Sequence, residues 1–140
     1  MGVGGSGNTI DRVTSLNRQT GIQVVGDLNL VRNNSFAGAV TGISGIGQGN
    51  QFFGNDLSFA SVFCISITQD KQFQIAGNDF SHSANGLNLY DIDGLVASPN
   101  PGSGQISMDV STIPGEVLLM ESIRNSQFSG LDLSWGGAGL

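Results

Sequence analysis

The sequence predicts an all-β fold, a right-handed parallel β-helix (solenoid) of about six coils. Three observations carry that expectation. A polar–apolar motif recurs at a near-constant spacing, a second apolar strand follows each copy at a constant offset, and the composition is rich in glycine and poor in proline. The motif, Asn-x-apolar-x-x-Asn-x-apolar, reads Asn29-Leu-Val31-Arg-Asn-Asn34-Ser-Phe36, then Asn50-Gln-Phe52-Phe-Gly-Asn55-Asp-Leu57. A third copy, Phe73-Gln-Ile75-Ala-Gly-Asn78-Asp-Phe80, keeps every position but the first. A self-similar unit of this length cannot bury an apolar face alone, so stacked copies must share one core.

Seven residues after each final apolar position comes another apolar residue: Ile43 after Phe36, Cys64 after Leu57 and Leu87 after Phe80. Gly42 and Gly86 precede two of these, which marks the start of a second strand in each repeat. The pattern extends upstream to Asn8-Thr-Ile10, with its second strand at Gly21-Ile22-Gln-Val24. Downstream it continues through Asp93-Gly-Leu95 and Glu121-Ser-Ile123-Arg-Asn-Ser126-Gln-Phe128. Strand side chains alternate between the two faces, so equivalent residues stack into columns along the solenoid axis. Ile10, Val31, Phe52, Ile75, Leu95 and Ile123 are expected to form one interior column, and Phe36, Leu57, Phe80 and Phe128 another. Asn34, Asn55 and Asn78 are expected to form an asparagine ladder at a turn, where each amide bonds its neighbours and the left-handed backbone is tolerated.

The 140 residues fit one domain, and an apolar fraction of 39% suffices for a modest core. There are 22 glycines against 3 prolines, which suits many tight turns and excludes a Pro-rich linker. The net charge of −6, with only 5 scattered basic residues, argues against a nucleic-acid-binding surface. The single Cys64 makes no internal disulfide, no Cys/His spacing resembles a zinc site, and no stretch approaches a membrane span in length.

The repeats resemble those of the pectate-lyase-like parallel β-helix superfamily, over roughly Asn8 to Phe128. That family includes polysaccharide lyases, hydrolases and epimerases, phage tailspikes and surface adhesins, so the resemblance implies a scaffold more than an activity. The polygalacturonase-like Gly-His-Gly and Arg-Ile-Lys signatures are absent. No lyase-like set of calcium-binding acids with a catalytic Arg or Lys can be assembled. Thr-x-Thr ice-binding columns and a Gly-Gly-x-Gly-x-Asp array are missing as well.

A Gly-rich flexible start is expected at residues 1–7, the β-helix domain at 8–135 and a Gly-rich tail at 136–140. In the fifth coil Ser98-Pro-Asn100-Pro101-Gly-Ser-Gly104 interrupts the ladder, since proline donates no hydrogen bond to a sheet, and reads as an outward loop. In the third coil Phe63, Ile65 and Ile67 compete with Cys64 for the inside. In the sixth, Leu131 follows Phe128 closely, which reads as a shortened turn. No amphipathic helix offers to cap an open edge, so the chain is expected to be a piece of a longer protein or to form a homo-oligomer, a trimer or an end-to-end stack.

The candidate acids are Asp56, Asp79, Asp91 and Asp93. Asp56 and Asp79 share a repeat position, about 5 Å apart at the backbone. Carboxylates so placed share a proton, hold a cation such as Ca²⁺, suit a retaining glycosidase pair, or splay into water, and turn geometry alone favours the last. Asp91 stacks on Lys71 and Asp11 on Arg32, so cross-coil ion pairs account for both. His82 lies in the turn Phe80-Ser-His-Ser-Ala-Asn85 with no sequence neighbour to orient it. Cys64 reads as a buried small hydrophobe and not as a nucleophile. Tyr90, Trp135 and Phe53 are the few aromatic platforms for a sugar.

The preferred functional reading is a noncatalytic module, extracellular or on a virion surface. It would recognise a polysaccharide, a cell-surface glycan or another surface, or build an assembly, with Asp56, Asp79, His82, Tyr90 and Trp135 as binding residues. No catalytic set, metal or cofactor is assigned beyond those candidates. The alternatives are a carbohydrate-active enzyme, or part of one, and a purely structural self-assembling solenoid.

Overall fold

The computed structural model describes residues 1–69 and 72–92, together with the backbone of strands at 96–97, 118–121 and 127–128. Each turn of chain places a short strand, an isolated bridge and a longer strand on three successive faces. The short strands are β2 (Thr9–Asp11), β4 (Leu30–Arg32), β6 (Gln51–Phe53) and β8 (Gln74–Ala76), hydrogen-bonded in that order into a four-stranded sheet. The longer strands β3 (Thr20–Val25), β5 (Thr41–Ile46), β7 (Phe63–Thr68) and β9 (Leu87–Tyr90) form a six-stranded sheet, with β1 (Gly2–Gly4) before them and β11 (Leu118–Glu121) after. Thr14, Ser35, Asp56 and Asp79 pair through single bridges on the third face. Strands β10 (Val96–Ala97) and β12 (Gln127–Phe128) pair with each other.

Every one of these pairings is parallel and joins consecutive coils. The described chain is therefore a parallel β-solenoid of about four turns. Where six coils are expected from sequence, the segments assigned to the last two, including Asp93-Gly-Leu95, the Ser98–Gly104 loop and Ile123, lie largely outside the described residues.

The core follows from the columns. Ile10, Val31, Phe52 and Ile75 stand opposite one another in the short-strand sheet, and all are buried. Phe36, Leu57 and Phe80 are wholly buried at the turn after the bridge residues. Phe128 departs from the expected column: it lies in β12, in register with Ala97. The asparagines that mark the earlier coils are missing there, so the apolar pattern by itself does not pin the register.

In the third coil, where two phases compete in the sequence, Ile65 and Ile67 are buried and Phe63 is half-buried. Ile65, and not Cys64, stands opposite Ile43 and Leu87. Cys64 is buried as well, because it occupies the position of Gly21, Gly42 and Gly86, where the chain bends into the longer strand. A small residue is required at that bend. A Cβ on Gly42 would stand 2.6 Å from the Cys64 carbonyl oxygen and 2.8 Å from Leu57 Cδ2. The Phe36–Leu57–Phe80 column thus fills the interior up to the backbone of the facing bend.

Two asparagine ladders, where the sequence reading found one, stitch the turns together. In the expected ladder Asn34 Nδ2 donates to Asn55 Oδ1 (2.9 Å) and Asn55 Nδ2 to Asn78 Oδ1 (2.9 Å). Each Oδ1 also accepts from a backbone N–H of the preceding coil, as from Asn34 (3.1 Å) and Asn55 (2.9 Å). Each amide further donates to a carbonyl, Asn34 to Ile10, Asn55 to Val31 and Asn78 to Phe52. The second ladder runs Asn8, Asn29, Asn50 with the same bonding, 2.9 Å and 3.1 Å between amides. At its fourth position buried Phe73 stands in place of an asparagine.

The corners are columns too. Left-handed backbone recurs at Arg12, Asn33, Gly54 and Gly77, and again at Asn17, Gly38, Phe59 and His82, with φ between 53° and 71° at all eight. Backbone bonds run through the second corner as well, from Gly38 N to the Ser58 carbonyl (2.9 Å) and from Phe59 N to the Ser81 carbonyl (3.0 Å). Glycine and asparagine adopt this conformation readily, whereas a bulky side chain pays roughly 1–2 kcal/mol for it.

A fully satisfied buried amide supports the coil on each side, so its loss strands partners in both. Asn55→Ala is expected to lower unfolding free energy by about 3 kcal/mol or more, since several buried partners each lose about 1–3 kcal/mol of satisfaction. The exposed Gln23→Ala change on the same solenoid should stay within about 0.5 kcal/mol. Urea midpoints of the two variants provide the comparison.

Candidate functional site

The third face and the corner beside it bring together more of the singled-out residues than any other described region. Asp56 and Asp79 are bridge partners in consecutive coils, as their shared repeat position predicts. Their surroundings differ. Asp56 is half-buried, and its carboxylate accepts from Ser35 Oγ (2.8 Å), Ser58 Oγ (2.6 Å) and Ser58 N (3.1 Å). Asp79 is exposed and accepts from Ser81 N (2.8 Å). Each aspartate thus closes a turn onto the residue two places on, the local geometry that makes Asp a turn former.

Burial raises the Asp56 carboxyl, but the hydrogen bonds from Ser58 and Ser35 outweigh it and hold the group below its usual value of 3.8. A carboxylate held charged in this way anchors a turn and is poorly suited to donate a proton.

His82 lies three residues after Asp79, in the same corner. Its imidazole stacks on Phe59, the equivalent residue of the preceding coil, with ring centroids 5.0 Å apart and planes 20° from parallel. Phe59 is 60% exposed and contributes nothing to the core. Sequence reasoning passed over Phe59. Its signal was a column, since Asn17, Gly38, Phe59 and His82 recur at the same corner and only Phe59 is a type the corner disfavours.

The other singled-out residues lie apart. Tyr90 is exposed at the last position of β9, the end of that strand away from His82, and Asp91 follows it with φ 53°. Asp93, Trp135 and Lys71, the expected partner of Asp91, are outside the described residues. Phe53 is half-buried and follows Asp11 and Arg32 in an outward column of the short-strand sheet. The Asp11–Arg32 ion pair is present at 3.3 Å. Asn33 Nδ2 also donates to Asp11 (3.1 Å), and this bond, ahead of the Arg32 charge, lowers the Asp11 carboxyl.

Cys64 is wholly buried, with Sγ 3.4 Å from the Asn85 carbonyl oxygen and 3.7 Å from that of Leu57. Burial pushes its thiol up to about 12. A neutral thiol facing two carbonyls is a packing group and a weak donor. Among the described residues, no three His, Cys, Asp or Glu side chains gather into a metal site.

Protein-family models, curated protein sequences and solved structures were compared with the chain. None matches it. The third face carries hydroxyls and carboxylates in register, with an exposed aromatic stack at the adjoining corner.

Two measurements check these assignments. In native protein at pH 8 Cys64 should resist iodoacetamide and react at the rate of a free thiol only after denaturation, because the thiolate is scarce and enclosed. The Asp56 carboxyl is lowered in the folded state, so its stabilising contribution is complete above 3.8 and is lost as pH falls below that value. Urea midpoints measured from pH 6 to pH 2 should therefore drop on the acid side, and less steeply in Asp56→Asn than in the parent.

Proposed function

We propose that this chain is a noncatalytic recognition module that presents its outer columns to a glycan or a glycan-coated surface, outside the cell or on a virion. The observation that carries this reading is the repetition of short polar side chains along the axis. Gln23, Ser44, Ser66 and Asn88 stand in one register column between buried neighbours. Thr14, Ser35, Asp56 and Asp79 stand in another.

A ligand with a repeat of its own meets a hydroxyl, an amide or a carboxylate once per coil, about every 4.8 Å. These groups are the donors and acceptors that sugar hydroxyls pair with. They are also preorganised, as where Asn88 Nδ2 donates to Ser66 Oγ at 3.2 Å, so little side-chain entropy is lost on binding.

Two of the groups that could do chemistry, Asp56 and Cys64, are engaged otherwise. A glycoside-cleaving acid needs a carboxyl raised toward neutrality, and Asp56 is shifted the other way. Cys64 is enclosed and protonated.

Cosedimentation with cellulose, chitin, xylan and peptidoglycan, with release of reducing ends and unsaturated uronates assayed on the same samples, tests the reading. Retention on at least one polymer without release of product is the expected result. Product formation that disappears in Asp79→Asn would sink the noncatalytic reading.

A further inference from the structure

We infer that the outward face of the longer-strand sheet is a dimerisation surface, covered by the same face of a second copy of this chain. The inference is independent of the recognition reading. The dimer covers the column of Gln23, Ser44, Ser66 and Asn88 and leaves that of Thr14, Ser35, Asp56 and Asp79 outward.

The face is set apart by charge. Side chains alternate along a strand, so the register that buries Ile22 and Val24 turns Gln23 and Val25 outward. Coil by coil this makes two columns: Gly2, Gln23, Ser44, Ser66, Asn88, and beside it Gly4, Val25, Ile46, Thr68, Tyr90. None of these residues is charged, in a chain whose net charge is −6. The short-strand sheet, in contrast, carries Asp11 and Arg32, and the third face carries Asp56 and Asp79. The nearest described charges lie beyond the strand ends: Arg18 before β3, Asp27 after it and Asp91 after β9. The Met1 ammonium sits at the edge of β1, bonded to the Gly21 carbonyl (3.2 Å). Two copies of an acidic chain repel least where neither presents a charge.

The columns also complement themselves. Take a twofold axis parallel to the strands, between two such faces and midway between β5 and β7. It sets β5 opposite β7 of the second copy, β3 opposite β9, and β1 opposite β11. Ser44 then faces Ser66 and Gln23 faces Asn88, each pair occurring twice, as an isologous contact requires. Hydroxyls and amides both donate and accept, so the polar column meets groups it can bond. Ile46 comes opposite Thr68 and Val25 opposite Tyr90, so the exposed Val25, Ile46 and Tyr90 side chains are covered by apolar surface. Glu121, in register with Tyr90, comes opposite Gly4, which has no side chain. Parallel strands also suit aligned sheet packing, in which strand directions stay within about 30°.

Size sets the strength. Six strands at about 4.8 Å and six residues at about 3.3 Å give a footprint of about 500 Å² per copy. Both copies together reach about 1,000 Å², the floor for a specific interface, so the dimer is weak and depends on concentration.

Sedimentation velocity on the full chain, over micromolar to millimolar loading and at low and high salt, tests the inference. A monomer–dimer equilibrium is expected, and added salt should not weaken it, because no ion pair holds the faces together. Ile46→Lys puts an ammonium group from each copy near the axis and should weaken the dimer about tenfold or more. Thr14→Lys, on the third face, should leave association as in the parent, and circular dichroism should show both variants folded. Should Ile46→Lys fail to fold, a mixture of Val25→Cys and Tyr90→Cys chains treated with a short bismaleimide decides. The mixture should cross-link well beyond either chain alone.

A parent that stays monomeric throughout, a trimer or open-ended series, or a dimer that persists in Ile46→Lys would overturn the inference. Cross-linking no greater in the mixture than in the separate chains would overturn it too. A monomeric parent whose cosedimentation with a polysaccharide is lost in Ile46→Lys would give the face to the glycan instead.

Discussion

Chains of buried asparagine amides hold the coils of this solenoid in register. In a parallel ladder one residue of slip would turn every core side chain outward, and apolar stacking by itself resists such a slip weakly when successive residues are similar in size. An asparagine amide is less forgiving. Its two donors and its carbonyl must meet specific groups on the coils before and after, and Asn29, Asn34 and Asn55 do so with bonds of 2.8 to 3.1 Å on both sides. Displacement would leave several polar groups buried without partners, which costs far more than any one bond contributes.

With register held, everything else becomes a matter of columns. Positions facing inward accept any apolar residue of adequate bulk, so Val31 is followed by Phe52 and then Ile75. Bends into the longer strands accept only small residues, because the Phe36 and Leu57 side chains pack against the bend backbone. Corners favour glycine and asparagine. Outward positions are constrained least, and there the chain carries hydroxyls, amides and carboxylates.

Functional candidates are read most clearly where a residue violates the rule of its own column. Phe73 replaces an asparagine and is explained by burial. Cys64 replaces a glycine and is explained in the same way. Phe59 occupies a glycine and asparagine corner and is exposed, with its ring against that of His82 in the next coil, which separates it from the other two. The same comparison turns Asp56 from a candidate acid into a turn anchor, because its oxygens are taken up by Ser35 and Ser58.

The sequence by itself determined the class of fold, the strand positions of the first four coils, one asparagine ladder and the Asp11–Arg32 pair, because each follows from a period that can be counted. The second ladder was equally countable in Asn8, Asn29 and Asn50, but its fourth member is a phenylalanine and the column went unread. Tertiary structure decided what spacing does not encode. It alone aligned Ile65 with Ile43, since a single added residue in the third coil shifts the phase without changing the composition. It alone put Phe128 opposite Ala97, where no asparagine marks the register. It alone brought the Phe59 ring onto His82 and the Asn17 amide over Gly38, because contact between side chains of different coils depends on where backbone dihedrals aim them and not on which residues recur.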